Sequence, residues 1–391
     1  MRSPLCLLLF LATVPVLAQS NPNSARARDL GVPFDGRPGK LDAITDVAGI
    51  EVGTQTLIEG DGPLKVGVGP VRTGVTVVLP RGRMNPDPVY AGWFSMNGNG
   101  EMTGTTWVEE SGFLTGPVAI TNTHSVGVVR DSVIAWALDH KLMTEDEWSL
   151  PVVAETWDGW LNDINGFHVK KADVYAALDG ARSGPVPEGN TGGGTGMVCY
   201  GFKGGTGTAS RVLAKEDGGY TVGVLVQCNC GRRPQLTIAG VPVGKEIPGN
   251  EAYAVLHPNA RPGNDAQSDV GSIIIVVATD APLLPHQLKR IARRAALGLA
   301  RTGSVSGNSS GDIFIAFSTA NPHADTVPGP NTVQTVSTER ITPLFTATVE
   351  ATEEAIVNAM VGAKTMTGVN GRTVIALPHE QLKEVLKKYN R

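Results

Sequence analysis

The feature that most constrains the fold is an unbroken run of five β-branched apolar residues, 273–277, directly after Gly271 and Ser272. A strand with one solvated face alternates polar and apolar residues, so this run predicts a strand that is buried on both faces. Ser272 then lies at the mouth of that strand, held by the sheet behind it. A chain cut before Ser272 would carry a hydroxyl and a free α-amine on this one residue.

Further strands and helices are predicted on both sides of Ser272. Strands are expected at 50–54, 73–80, 117–120, 151–156, 220–229, 272–280 and 312–318. Helices are expected from the 122–125 cap to about 140, and at 171–178, 284–303, 342–360 and 380–389. The region 86–116 holds six glycines without a clear period, so it is expected to be mostly loop. The interleaving of strands and helices predicts a layered α/β fold.

Composition sets the broad class of the protein. Of 391 residues, 41% are hydrophobic and 18% charged, which is typical of a soluble globular protein. The net charge of −4 gives no support for a nucleic-acid partner. The 48 glycines exceed the usual share of about 7%, and predict many tight turns and close backbone approaches.

Residues 1–18 have the pattern of a secretory signal peptide. Arg2 supplies the positive start, residues 5–17 the apolar core, and residues 16–18 a small-residue cleavage site. The apolar core is too short to span a bilayer, and no later run approaches about 20 apolar residues. We therefore predict a periplasmic or secreted protein with no membrane anchor, whose residues 19–391 form a single catalytic domain.

The mature chain keeps three cysteines, Cys199, Cys228 and Cys230. Their spacing matches no zinc motif, and the histidines show no metal-ligand spacing either. Buried free thiols are the favoured interpretation, and one disulfide is the alternative. No metal and no cofactor are predicted.

Ser272 is the candidate nucleophile, although a small residue at a strand edge also explains it. The seven histidines are scattered, which argues against a Ser–His–acid triad. The Gly-x-Ser-x-Gly match at 307–311 precedes a strand, whereas a nucleophile elbow follows one. A free α-amine has a pKa of about 7.7–8.0 and can act as a general base at neutral pH. Gly271 would permit a strained peptide bond at the cut.

Other polar residues at strand ends are candidates for the same site. Glu155 could receive a substrate ammonium, and the amide of Asn229 could donate to an oxyanion. Ser310 and Asp312 begin the next strand after the Ser272 strand and its helix, and they could orient the α-amine of Ser272. Each also has a plain explanation as a solvated strand end or a turn residue. The glycine-dense segment 189–208 lacks a nucleotide-binding motif, so it is interpreted as backbone that wraps a cleft.

Several blocks of the sequence, in order, resemble one known family. These blocks are residues 43–53, 155–163, 188–197, 223–229, 278–288 and 310–312. They are similar to the D-aminopeptidase/L-esterase and β-peptidyl aminopeptidase family of self-cleaving serine hydrolases. The resemblance implies an αββα sandwich like that of N-terminal nucleophile hydrolases, with different connectivity. It also implies a cut between Gly271 and Ser272, giving an α chain 19–271 and a β chain 272–391 that assemble as (αβ)₄.

The resemblance assigns roles to individual residues. It makes Ser272 the nucleophile, with Ser310 and Asp312 beside its amine. It makes Asn229 a hydrogen-bond donor to the oxyanion, and it makes Glu155 the residue that receives the amino group of the substrate. Trp157 stands where some relatives carry a tyrosine that serves the oxyanion hole, and Asp312 stands where β-peptide-cleaving relatives can carry glutamate.

The expected function is removal of small N-terminal residues, of β-amino acid, D-alanine or L-alanine type, from peptides and amides through an acyl-enzyme. Two alternatives stay open. One is an acyltransferase of the same fold, in which an amine intercepts the acyl-enzyme. The other is an inactive, uncleaved periplasmic binding protein.

Overall fold

The computed structural model describes residues 25–247, 271–326 and 328–391. Its strands are β1 (Glu51–Glu59), β2 (Val71–Leu79), β3 (Val89–Gly98), β4 (Phe113–Leu114), β5 (Val118–Asn122), β6 (Val152–Thr156), β7 (Val198–Cys199), β8 (Phe202–Lys203), β9 (Gly205–Val212), β10 (Thr221–Asn229), β11 (Ser272–Thr279), β12 (Gly311–Ser318), β13 (Met366–Thr367) and β14 (Thr373–Val374). Its helices are α1 (Thr105–Ser111), α2 (Val126–Asp139), α3 (Lys171–Asp179), α4 (Val243–Glu246), α5 (Pro285–Arg301), α6 (Thr342–Val361) and α7 (His379–Lys388).

Two β-sheets face each other and carry helices on their outer sides. One sheet has the strand order β1-β2-β5-β6, and the other has the order β4-β3-β12-β11-β10-β9. Apolar residues of α2 and α3 pack on the outer side of the first sheet, and those of α5 and α6 pack on the second. A further apolar core fills the space between the sheets. The layers are therefore α-β-β-α, which confirms the predicted fold class.

Strand β11 lies in the middle of the larger sheet and is buried along its whole length. Side chains at odd positions from Ile273 to Val277 join the core beneath α5 and α6. Those at even positions from Ile274 to Ala278 join the core between the sheets. The run of β-branched residues thus serves two apolar layers at once, which is why it shows no alternation.

The other predicted strands and helices are present within a few residues of their expected ends, but region 86–116 is not mostly loop. It contains β3, β4 and α1. Strand β3 is only partly buried, so it lacks a continuous apolar signal. Its Gly92 also interrupts the pattern, because a Cβ there would lie 2.4 Å from the backbone nitrogen of Lys289. The glycine lets helix α5 approach the strand closely.

A disulfide joins Cys199 of β7 to Cys228 of β10. The favoured expectation of three free thiols is therefore wrong for Cys199 and Cys228, while Cys230 is buried and lies outside this disulfide. The Cys230 Sγ lies 4.0 Å from the Cys199 sulfur and 3.9 Å from the Cys228 sulfur. Since two of these sulfurs are bonded to each other, the cluster does not provide the set of thiolates that a structural zinc ion needs.

Two sequence predictions fall outside the described residues. They are the signal peptide at 1–18 and the linker at 248–268. Within the ranges that are described, no helix is both long enough and apolar enough to cross a bilayer.

Candidate active site

Ser272 is the first residue of β11 and is flanked by two strands. It lies opposite Asn229 of antiparallel β10 and opposite Gly311 of parallel β12. The Gly311 backbone N–H donates a hydrogen bond of 3.1 Å to the Ser272 Oγ. The side chain is 8% exposed. The structure thus places Ser272 and the 310–312 segment at the same strand end, as the sequence predicts for sequential parallel strands.

Gly271 fits against the backbone of the neighbouring strand. A Cβ at this position would lie 2.4 Å from the Asn229 carbonyl oxygen and 2.6 Å from the Cys230 Cα. No side chain can be accommodated at these distances without moving the main chain. The reason for glycine here is this close approach, and not only the backbone freedom that the sequence suggested.

Ser310 and Asp312 are hydrogen-bonded to each other. The Ser310 hydroxyl donates to the Asp312 Oδ1 over 2.6 Å, and both residues are buried. The bond points the hydroxyl hydrogen of Ser310 at the Asp312 carboxylate, so the lone pairs of the Ser310 Oγ remain available as acceptors. The pair can therefore receive an N–H group and offer a negative charge behind it.

Asn229 is oriented by two hydrogen bonds. Its Oδ1 accepts from the Val198 backbone N–H at 2.8 Å, and its Nδ2 donates to the Trp157 carbonyl oxygen at 3.0 Å. The opposite amide orientation would satisfy neither partner. Because Nδ2 carries two hydrogens, a second one remains for another acceptor at the Ser272 end of the strand.

Trp157 contributes its backbone to this arrangement. Its carbonyl oxygen accepts the bond from Asn229, while its indole ring lies against Gly159 and is half-exposed. The exposed part of the indole is accessible to a bound molecule.

Glu155 lies near the end of β6, at the edge of the smaller sheet, and is buried. Its Oε1 accepts from the Glu101 backbone N–H at 3.0 Å, and its Oε2 accepts from the Thr123 hydroxyl at 2.5 Å. Burial raises the pKa of Glu155, while these two bonds act in the opposite direction. Thr123 was not singled out by the sequence as a partner.

The segment 99–102 brings the two sheets together at the site. The Asn99 backbone N–H donates to the Ser310 carbonyl oxygen, and Met102 pairs with Ala154 of β6. Between them, a Cβ on Gly100 would lie 3.1 Å from the Gly311 Cα and 3.3 Å from the Glu155 Oε1. The Glu155 carboxylate of the smaller sheet is thus separated from the Ser272 end of β11 by the backbone of Gly100, which carries no side chain.

The sequence pattern does not reveal this connecting segment, because region 86–116 has no clear period and so predicts mostly loop. The signal that could have marked it is the repeated Asn-Gly of residues 97–100, followed by Glu101. The Gly311 N–H was missed for a different reason, since a backbone donor leaves no trace in the side-chain pattern.

The glycine-dense segment 189–197 is buried except at Asn190, and its glycines contact strands of both sheets. A Cβ on Gly193 would lie 2.1 Å from the Gln227 Oε1, and one on Gly196 would lie 2.3 Å from the Arg72 carbonyl oxygen. Close packing of backbone therefore accounts for its glycines. The sequence also missed Lys203, which lies behind this segment and is fully buried.

Among the described residues, no histidine hydrogen-bonds to Ser272, and three histidines have carboxylate partners elsewhere. The His168 ring contacts Asp163, the His140 ring contacts Asp179 and the His323 ring contacts Asp87. Ser309, the central serine of the Gly-x-Ser-x-Gly match, uses its carbonyl oxygen to accept from Asn99 and precedes a strand. The geometry therefore favours a serine that acts without a histidine base.

Comparisons with known proteins agree on one family. The sequence profile of peptidase family S58 matches residues 42–374. The chain is 57% identical over 375 residues to the beta-peptidyl aminopeptidase BapA of Sphingosinicella microcystinivorans, a match that covers 94% of this chain and 93% of that one. It is 50% identical over 386 residues to the beta-peptidyl aminopeptidase BapA of Sphingosinicella xenopeptidilytica, covering 97% and 95%.

The fold agrees with a solved structure as well. The L-aminopeptidase D-Ala-esterase/amidase of Ochrobactrum anthropi superposes with a TM-score of 0.86 and 50% sequence identity, covering 94% of this chain and 99% of that one. That protein is described as a prototype of the serine aminopeptidases and a new variant of the Ntn hydrolase fold. The predicted resemblance and fold are confirmed.

Proposed function

Since this chain belongs to peptidase family S58, a family of aminopeptidases, we propose that it cuts itself once before Ser272 and then works through that residue. The observation that carries the proposal is the setting of Ser272. It begins a fully buried strand, its Oγ is bound by the Gly311 N–H, and its preceding residue can only be glycine. A nucleophile that must also become a chain end needs this kind of position.

In the proposed cut, the Ser272 Oγ attacks the Gly271 carbonyl carbon. The Gly271–Ser272 C–N bond breaks, the nitrogen takes up the proton and the two residues are joined by an ester. Water then hydrolyses the ester, which leaves a carboxylate on Gly271 and restores the Ser272 hydroxyl. The products are an α chain of residues 19–271 and a β chain of residues 272–391.

In turnover, the new α-amine of Ser272 takes the proton of its own hydroxyl, and Oγ attacks the carbonyl carbon of the substrate. The oxyanion receives the second Nδ2 hydrogen of Asn229. Protonation of the leaving amine breaks the scissile C–N bond, and water hydrolyses the acyl-enzyme. Ser310 accepts an N–H of the Ser272 amine, and Asp312 stabilises the ammonium form by its charge.

Glu155 is proposed to hold the amino group of the substrate. It is a buried carboxylate that lies across the bare Gly100 backbone from the Ser272 end of β11. Trp157 is proposed to line the same site. A cation receptor so close to the nucleophile admits only one short residue between them, so the enzyme releases single N-terminal residues.

We propose a β-amino acid as that residue, because the two relatives above are beta-peptidyl aminopeptidases. The p-nitroanilides of β-alanine, D-alanine and L-alanine distinguish the three substrate classes. The β-alanine derivative is expected to have the highest kcat/KM, and a clear preference for either α-amino acid would overturn this assignment.

Denaturing electrophoresis and N-terminal sequencing test the self-processing step. Purified active protein should give two bands, near roughly two-thirds and one-third of the chain, and the smaller should begin with Ser272. A single full-length band from active protein would refute the mechanism. Recovery of the protein from the periplasmic fraction would support the proposed export. Elution from a size-exclusion column at the mass of four αβ units would support the proposed (αβ)₄ assembly.

The KM for amine substrates should depend on the ionisation of Glu155. Burial raises the pKa of this carboxyl, so as pH falls it is protonated at a higher pH than an ordinary glutamate near about 4.3. The protonated acid no longer pairs with the ammonium group, and KM should therefore rise on the acid side. Steady-state kinetics of one substrate between pH 4.5 and pH 8 would measure this rise.

The Glu155→Gln variant is the matched control for this pH dependence. Glutamine keeps the size and two polar atoms but has no charge, so KM should be raised about 10- to 100-fold at neutral pH. It should also stay constant across the acid range in which the wild-type KM rises. An unchanged KM in this variant would remove Glu155 from the substrate site.

A further inference from the structure

Lys203 of β8 is fully buried and has no carboxylate partner among the ion pairs of the described residues. Its Nζ donates instead to three backbone carbonyl oxygens, those of Gly204 at 2.8 Å, Met197 at 2.9 Å and Gly194 at 3.3 Å. Burial of an ammonium group without an anion is unfavourable, and an apolar side chain would fill the same space more stably. A lysine in this place therefore calls for a functional explanation.

Two opposing influences act on its charge. Burial lowers the pKa of Lys203 to about 7. The three carbonyl dipoles converge on the Nζ and favour the ammonium form. The three carbonyl groups hold the Lys203 ammonium in position, and the ammonium polarises the peptide groups to which these carbonyls belong.

One of the three carbonyls connects Lys203 to the candidate oxyanion donor. The Met197 C=O and the Val198 N–H belong to the same peptide group, and in a trans peptide they point in opposite directions. The C=O end accepts from the Lys203 Nζ. The N–H end donates to the Asn229 Oδ1 at 2.8 Å. A chain of hydrogen bonds thus runs from the buried ammonium through one peptide group to the Asn229 amide.

We propose that Lys203 is a positioning residue that acts on the reaction through Asn229. It fixes the plane of the 197–198 peptide group, which fixes the Asn229 amide, whose remaining Nδ2 hydrogen then points to the oxyanion. Each donor in such a chain also strengthens the next one, because hydrogen bonds in series polarise one another. This inference rests on the proposed function, in which Asn229 stabilises the oxyanion.

A double-mutant cycle between Lys203 and Asn229 tests the proposal. Lys203→Met keeps the length of the stem but removes the charge and the donors. Its kcat, per mole of free Ser272 N-terminus, is expected to fall about tenfold, with KM within about twofold of wild type. Asn229→Ala should lower kcat by about 10²–10³. The double variant should be no slower than Asn229→Ala alone, because the effect of Lys203 passes through the amide.

The cycle separates failure of this inference from failure of the proposed function. Additive losses in the double variant, or an unchanged kcat in Lys203→Met, would overturn the role of Lys203 and leave Asn229 in place. An unchanged kcat in Asn229→Ala would instead overturn the oxyanion role on which the inference rests.

Two more variants separate positioning from general stability. Lys203→Gln keeps two N–H donors without the charge, and its kcat should lie between those of wild type and Lys203→Met. Arg81 is another largely buried cation, which pairs with Asp87 and donates to the backbone carbonyl of Thr319 near the opposite end of β12. Arg81→Met should lower thermal stability and leave kcat unchanged. Equal losses of kcat in Arg81→Met and Lys203→Met would contradict the proposal.

Discussion

Replacing Ser272 by alanine is expected to leave the protein as one uncut chain with no peptidase activity. The hydroxyl is required twice in the proposed chemistry, first to attack the Gly271 carbonyl and then to attack the substrate. Its loss also removes the free α-amine, because the amine arises only by the cut. We therefore expect activity to fall by about 10⁴-fold or more, which electrophoresis and a p-nitroanilide assay of one preparation would measure.

The fold should survive this substitution. Alanine keeps the Cβ and removes only an oxygen that accepts the Gly311 N–H, a change of about 1 kcal/mol in the free energy of unfolding. Ser309→Ala is the matched control, since Ser309 is the central serine of the Gly-x-Ser-x-Gly match and lies one residue before Ser310. It should be cut and fully active. Loss of activity in Ser309→Ala with normal turnover in Ser272→Ala would reverse the assignment of the nucleophile.

Asp312→Asn is expected to fold and to be cut but to lose most of its turnover. An asparagine Oδ1 can still accept from the Ser310 hydroxyl, so the local structure is kept. The negative charge is lost, and with it the stabilisation of the Ser272 ammonium that forms as Oγ attacks. We expect kcat to fall by about 10²–10³ while KM changes little.

Asp280→Asn provides the control for this change. Asp280 follows the opposite end of β11, where its Oδ1 accepts from the Thr221 backbone N–H. Asp280→Asn also removes one carboxylate charge, but at the end of β11 away from Ser272, so its kcat should equal the wild-type value. An Asp312→Asn enzyme with wild-type kcat would show that the amine needs no charged partner.

The sequence predicted those parts of the molecule that depend on local pattern. The run 273–277 has no polar position, and it forms the strand that both apolar layers share. The spacing of apolar residues likewise predicted α5, because its buried positions all lie on one face. The parallel pairing of β11 with β12, and so the approach of Gly311 to Ser272, followed from the order of the elements.

What the sequence could not predict depends on contacts between distant segments. Gly92, Gly100 and Gly193 look like loop residues, yet at each of them another part of the chain lies where a Cβ would have to be. The Cys199–Cys228 disulfide depends on β7 being folded back beside β10. The partner of Lys203 is a set of carbonyl oxygens, which every residue carries and no pattern distinguishes.

The strand order of the larger sheet has a consequence for the protein after the proposed cut. Strands β11 and β12 belong to the chain after Ser272, whereas their outer neighbours β10 and β3 come before it. After the proposed cut, the smaller product would supply the two middle strands of a sheet to which the larger product contributes strands on both sides. The two products would then share one apolar core, and we expect that neither separates without the other unfolding. Differently labelled preparations would keep their own pairs on mixing, and heat would melt both pieces in one transition.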